Sequence, residues 1–507
     1  SLKIQYSAGT TANTTLGATI YGKGSVSVDA GTTGGTLTLS GSNGSMSGTK
    51  TLISGGLIAT TASALGNTGT NKWVVQEKGW IASTAETGAT LLSRVDSSST
   101  GVLALSADTA SQLDLSNYQG LYIGAQQGKT VNYGTAGVAL KAVNNAWKLG
   151  GGGGTLNVQF LLTGENDLII GNEWSSGTVH LTNLQNNFSG NIFILGTGNM
   201  LTYAKDEATG ASALGNARVT LSYSNSLALH NSGELGILSR ADSVGSIAAT
   251  SSMDLDLTGY GVALGAAGDL TFTGILTVGD KYRLGGSGNL TLDTELDSTK
   301  AMEIDGQGTT GSSVTLAREN AYTGDITAGG GLQLDDAAHN GSIGIHAGHE
   351  TSLAQVNSLQ LKKGAVLYTD GNNLTVNNLS AGEGASLQNN GDSASQLRLN
   401  VTQGTTTSLA NGVLSDSANG ANLSLVKTGT GTLEMGGNSG WSGGLIIEEG
   451  RVAVSAASGG TGSRENTILI NPSGTLQVTA NQVTYGNLGQ TLLNQKLSGT
   501  GTIEIAS

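Results

Sequence analysis

Short segments in which apolar residues take every second position recur along the whole chain of 507 residues. No other feature limits its folding so strongly. GTLTLSG at 35–41, TLNVQF at 155–160, TVHLTNL at 178–184 and NLTLDTEL at 289–296 are examples. SVTLA at 313–317, NLTVNNL at 373–379, QLRLNV at 396–401, NLSLVK at 422–427, RVAVS at 451–455 and TIEI at 502–505 continue the series. A period of two over about four to six residues is that of a half-buried strand. Gly, Asn, Ser and Asp separate the segments, as turns require. Helical spacing is nearly absent, so the chain is expected to be all-β.

Repetition decides between a sandwich and a solenoid. Four copies of a short pattern stand out: NGSMSG at 43–48, NNFSG at 186–190, NAYTG at 320–324 and NSGWSG at 438–443. Larger units repeat around them. SALGN occurs at 63–67 and 212–216, LLSRVDS at 91–97 matches ILSRADS at 237–243, and WKLGGGGGTLNV at 147–158 matches YRLGGSGNLTLD at 282–293. These offsets divide one continuous domain, 1–507, into blocks at about 36–177, 178–312, 313–428 and 429–507. Degenerate blocks of short strands suit a single-stranded solenoid, each coil stacked on the last. At roughly 20–25 residues per coil, about 20 coils would form an elongated rod on the order of 100 Å long.

Composition agrees. The 81 glycines supply tight corners with positive φ, and the one proline, Pro472, spares the ladders. On this reading a proline belongs in the first or last strand. Without a period of three the glycines exclude collagen, and without cysteine a disulfide scaffold is excluded. No apolar run is long enough for a transmembrane helix. A net charge of −13 disfavours nucleic acid as a partner.

At 422–454 the sequence reads NLSLVKTGTGTLEMGGNSGWSGGLIIEEGRVAV. This resembles the passenger-associated repeat of bacterial autotransporters at Lys427, Gly429, Gly431, Leu433, Met435, Asn438, Trp441, Gly443, Ile447, Gly450 and Val452. The resemblance implies a right-handed parallel β-helix, secreted by the type V route through a C-terminal outer-membrane barrel. That barrel's amphipathic strands of about ten residues have no counterpart here. The chain is therefore expected to be a passenger on the extracellular side of the outer membrane, or released from it. Its Ser/Thr/Asn/Gly-rich character is similar to the AIDA-type and self-associating adhesins.

Chemistry finds little support. The only G-x-S-x-G, Gly440 to Gly444, lies inside that repeat with no helix after it, so Ser442 reads as a corner residue and not a nucleophile. Asp335, Asp336, His339, His346, His349 and Glu350 cluster, but at no familiar metal spacing. Asp293, Glu295 and Asp297 share one face of a strand, where a row of acids serves a carbohydrate-active enzyme or simply meets water. Gly150 to Gly154 reads as a glycine corner. The expectation is a non-enzyme with no cofactor and no metal.

Charge, at 12% of residues, is sparse and uneven. Between 280 and 350, Lys281, Arg283, Asp293, Glu295, Asp297, Lys300, Asp305, Arg318, Asp325, Asp335 and Asp336 alternate in sign, with Tyr282 and Tyr322 interleaved. A second group is Lys205, Asp206, Arg240 and Asp242. In a solenoid such residues can align into a stripe that binds sugar hydroxyls, sulfate or carboxylate. The expected function is adhesion to a host extracellular-matrix protein such as fibronectin or to glycosaminoglycan chains. The alternatives are self-association of passengers, giving aggregation and biofilm, and a carbohydrate-active β-helix enzyme.

Overall fold

A computed structural model of the chain describes residues 1–6, 12–31, 35–67, 71–206, 208–239, 242–297, 300–318, 322–333, 341–410, 412–436, 440–454, 466–479 and 496–506. The fold is all-β, with parallel strands winding a β-solenoid of about 19 turns. The chain divides into two compact units, Ser1–Ala228 with Gly233–Gly245, and Leu229–Ser232 with Ser246–Ser507.

In the first unit one parallel ladder includes Lys50–Ala59, Trp73–Ser83, Val102–Leu105, Tyr122–Ala125, Ala146–Leu149, Asp167–Ile170 and Asn191–Ile194. A second holds Thr130–Tyr133, Thr155–Val158, Gly177–Leu181 and Asn199–Tyr203. Thr130 faces Thr155, 25 residues on, and Thr155 faces Thr178, 23 residues on, which sets the coil length. Register stacks Leu57, Ile81, Leu103, Ile123 and Leu149 into one inward row, none more than 2% exposed. Each such side chain contributes about 1.5–3 kcal/mol by leaving water.

In the second unit Ser246–Ala249, Ala263–Ala266, Lys281–Gly285, Ala301–Asp305, Asp325–Gly329 and Ser358–Leu361 form one face. Asp269–Phe272, Asn289–Leu292, Ser312–Leu316, Ile343–Ala347, Ala365–Tyr368 and Ser386–Gln388 form another.

The large side chains of the four short repeats are interior. Met46 and Tyr322 are 1% exposed, Phe188 and Trp441 0%. In two copies the asparagine joins three coils. Asn43 Oδ1 accepts from the Ile20 amide at 2.7 Å and its Nδ2 donates to the Ala64 carbonyl at 2.8 Å. Asn186 does the same with Leu162 at 2.8 Å and Ala213 at 2.7 Å. The SALGN repeat thus supplies the carbonyl that each asparagine needs. Asn320 and Asn438 lie outside the described residues.

Three features depart from the expectations. Some strands are longer than six residues: Lys50–Ala59 pairs with Trp73–Ser83, and Leu445–Val454 with Thr467–Thr479, each through a register shift. The chain turns its corner there without leaving the ladder, with Gly55 at φ +72° and Gly450 at φ +73°. Pro472 sits in such a shift, since Ile447 faces Ile470 while Glu449 faces Ser473. A bulge, and not a terminal strand, removes the need for its missing N–H.

The run Gly150 to Gly154 is more than a corner. Gly150 to Gly153 all have positive φ, between +78° and +93°. A Cβ on Gly151 would lie 2.9 Å from Val102 Cγ2, and one on Gly152 would lie 2.8 Å from Ala104 Cβ. Val102 and Ala104 point away from the inward Leu103, yet both are 0% exposed. The glycine segment is therefore a second layer laid on the outer face of the sheet, close enough only because it has no side chains.

Candidate ligand-binding surface

The charged residues of 280–350 do not form one stripe. Lys281 and Arg283 lie on the strand Lys281–Gly285, and Arg283 faces Glu303 in register. Lys281 Nζ pairs with Glu303 at 2.5 Å, and Arg283 lies 3.7 Å from Glu303 and 3.6 Å from Asp280. Asp293 and Arg318 instead follow strands of the other face and pair with each other at 2.5 Å. That hydrogen bond and charge raise the Arg318 pKa above its ordinary value. Glu295 and Asp297 are exposed while Thr294 and Leu296 are buried, the alternation expected, although the regular strand ends at Leu292.

Several of these residues are hydrogen-bonded within the coils. Lys300 Nζ donates to the Val278 carbonyl at 2.6 Å. Asp325 Oδ1 accepts from Asn357 at 2.7 Å and Ser358 at 2.6 Å. Asp305 is 7% exposed and its carboxylate accepts from the Gln307 and Leu332 amides, so it is a corner cap and not a surface ligand group. Tyr282 and Tyr322, read from sequence as interleaved with surface charge, are 2% and 1% exposed and pack edge to face with centroids 6.3 Å apart. Burial pushes both phenols above their ordinary pKa. Asp335, Asp336 and His339 lie outside the described residues.

In the second charged group Lys205 pairs with Glu234 at 2.7 Å. Asp206 accepts from Thr209 Oγ1 at 2.6 Å and the Ala208 amide at 3.0 Å, bonds that lower its pKa. Asp242 accepts from Ser239 at 2.8 Å. These two carboxylates organise local turns. Arg240 lies outside the described residues.

The structure does bring part of the cluster to a recess. A cavity of about 250 Å³ is lined by Tyr260, Val262, Val278, Asp280, Lys281 and Arg283, with Gly259 at φ +81° beside it. Asp280 is largely exposed, with 77% of its side chain accessible, while Lys281 and Arg283 keep about a quarter. The paired charges balance and the floor is mixed polar and apolar, which suits a polar ligand of low net charge. Tyr260 escaped the sequence reading because its segment, LTGYGVAL, carries no charge.

Other candidate chemistry resolves into structure. Ser442 donates to Asp416 Oδ2 at 2.5 Å, as a corner residue does. His346 Nδ1 meets Asp370 Oδ2 at 2.7 Å and His349 Nδ1 meets Thr351 at 2.7 Å. No group of three potential metal ligands converges among the described residues, and no helix is long and apolar enough to cross a membrane.

No match was found among curated proteins or among solved structures. Residues 34–59 and 425–454 match the family model of the passenger-associated-transport-repeat. The first segment contains the buried Asn43 and Met46, the second the buried Lys427 and Trp441. Together with the parallel solenoid, the two matched repeats support an autotransporter passenger domain.

Proposed function

We propose that this chain is a passenger displayed at the bacterial cell surface and that it acts as a non-enzymatic adhesin of the AIDA type. The observation that carries the reading is the repeat match at 34–59 and 425–454 on a solenoid. The ligand is a host matrix protein, fibronectin-like, or a glycan chain, received at the recess around Tyr260, Lys281 and Arg283. Pairing of Lys281, Arg283 and Arg318 with carboxylates favours a weakly charged ligand over a densely sulfated glycosaminoglycan.

A solid-phase assay against fibronectin and glycosaminoglycans tests this. Binding should weaken in Lys281→Ala/Arg283→Ala and stay unchanged in Arg318→Ala. Binding to neither class of ligand, together with aggregation of expressing cells, would replace adhesion by self-association. The ladder of Asn132, Asn157, His180 and Thr202 on an outer face favours that second reading, because it presents a continuous polar row.

A further inference from the structure

Of the five tryptophans, Trp73, Trp80, Trp147 and Trp441 are at most 7% exposed, whereas Trp174 is 37% exposed. Its loop is anchored by hydrogen bonds at several points. The buried Asn172 accepts from the Trp174 amide at 3.1 Å and donates to the Glu77 carbonyl at 2.9 Å, 95 residues away. The same loop is fastened to the glycine layer, where Gly152 donates to Ser175 Oγ and Gly153 to the Ser176 carbonyl, both at 2.8 Å. Lys78 Nζ stands 3.6 Å from the Trp174 ring centroid, a cation–π contact.

The surroundings are chemically unlike the outward row of the neighbouring ladder. The outward row of the adjacent ladder runs Trp80, Val102, Tyr122 in register, and Lys148, Ile169, Phe193 continue in register beyond it. Tyr122, Lys148, Ile169 and Phe193 are half-buried, and Lys148 Nζ lies 5.7 Å from the Tyr122 ring. Burial, and then the charge of Glu77, raise the Tyr122 pKa. The corresponding row on the other ladder is Asn132, Asn157, His180 and Thr202, all polar.

We infer that Trp174, Tyr122, Lys78 and Lys148, with Glu77 and Glu173, which are exposed and adjoin Lys78 and Trp174 in sequence, form a binding platform for a neutral polysaccharide. Aromatic faces take the C–H faces of pyranose rings, while amine and carboxylate groups take the hydroxyls. Two lysines against two glutamates leave no net charge to favour a polyanion. Successive strands are about 4.8 Å apart, close to the rise of one sugar residue in an extended chain, so neighbouring rows meet neighbouring sugars. Anchoring the loop beforehand removes much of the ordering cost that binding would otherwise carry. The platform lies in the first unit and the recess in the second, so failure of one leaves the other standing.

The test is a tryptophan-fluorescence titration of the full chain with cellohexaose, maltohexaose, laminarihexaose, N-acetylchitohexaose and a heparin hexasaccharide. At least one neutral hexasaccharide should shift the emission, with affinity falling tenfold or more in Trp174→Ala and weakening in Lys78→Met. Trp174→Phe should retain most of the affinity, read by calorimetry, which separates ring stacking from a merely structural anchor. No neutral ligand bound, binding by the heparin fragment alone, or neutral binding indifferent to Trp174→Ala would each overturn the proposal.

Discussion

Substituting Gly152 with alanine tests whether the glycine run covers the sheet or merely turns a corner. Two costs arise. An L-residue at φ +83° carries about 1–2 kcal/mol of backbone strain. The new Cβ would also stand 2.6 Å from the Ala125 carbonyl oxygen and 2.8 Å from Ala104 Cβ, closer than real contacts allow. Relieving that overlap adds about 1–3 kcal/mol. Gly137 isolates the first cost, because it has φ +81° and nothing within 4 Å of its Cβ position. Gly137→Ala should therefore cost about 1–2 kcal/mol and Gly152→Ala about 2–5 kcal/mol. Hydrogen exchange is the appropriate assay, because a solenoid opens locally as well as globally. The amides of Val102–Leu105 and Tyr122–Ala125 should lose protection in Gly152→Ala and keep it in Gly137→Ala. Equal effects of the two substitutions would refute a covering layer.

Other outcomes follow from interior side chains. Trp441→Ala should cost about 3–5 kcal/mol by leaving a cavity, seen as early exchange in Leu423–Thr428 and Leu445–Val454. Asn186→Ala should cost about 1–3 kcal/mol by stranding the Leu162 amide and Ala213 carbonyl, measured by denaturant unfolding. Burial lowers the Lys427 pKa to about 8 from 10.5, against a smaller opposing pull from Glu449. Between pH 8 and 10.5 the unfolded chain then binds more protons at this residue than the native one, so its contribution to stability rises with pH. The rise between pH 8 and 10 should be present in the parent and absent in Lys427→Met; equal slopes would show that Lys427 titrates normally.

The sequence carried the strands plainly, because inward leucines such as Leu290 and Leu292 alternate with Thr291 whichever coil they join. It also carried the short repeats themselves, whose large side chains Met46, Phe188, Tyr322 and Trp441 are interior in the structure. What it lacked was register between coils. The charges of 280–350 are close in sequence, but Asp293 meets Arg318, 25 residues on, while Lys281 meets Glu303, 22 residues on, on a different face. Tyr282 interleaves with the charged Lys281 and Arg283 in sequence, and alternation sends it inward while they stay half-buried outside. Trp174 gave no local signal, since its exposure depends on Asn172 reaching Glu77. The glycine layer was legible as glycine but not as a lid, because nothing in 147–158 names Val102 or Ala104 as its floor.

Asn43 and Asn186 each tie the coil before and the coil after to their own. Under mechanical load this matters more than at rest. A solenoid pulled from one end sheds coils singly, each step set by one ladder of backbone hydrogen bonds. At an asparagine that clasps both neighbours, a departing coil must drag against two junctions at once. Force traces of single molecules should therefore show taller steps at these two positions, and substituting either asparagine should level its step to the height of the rest.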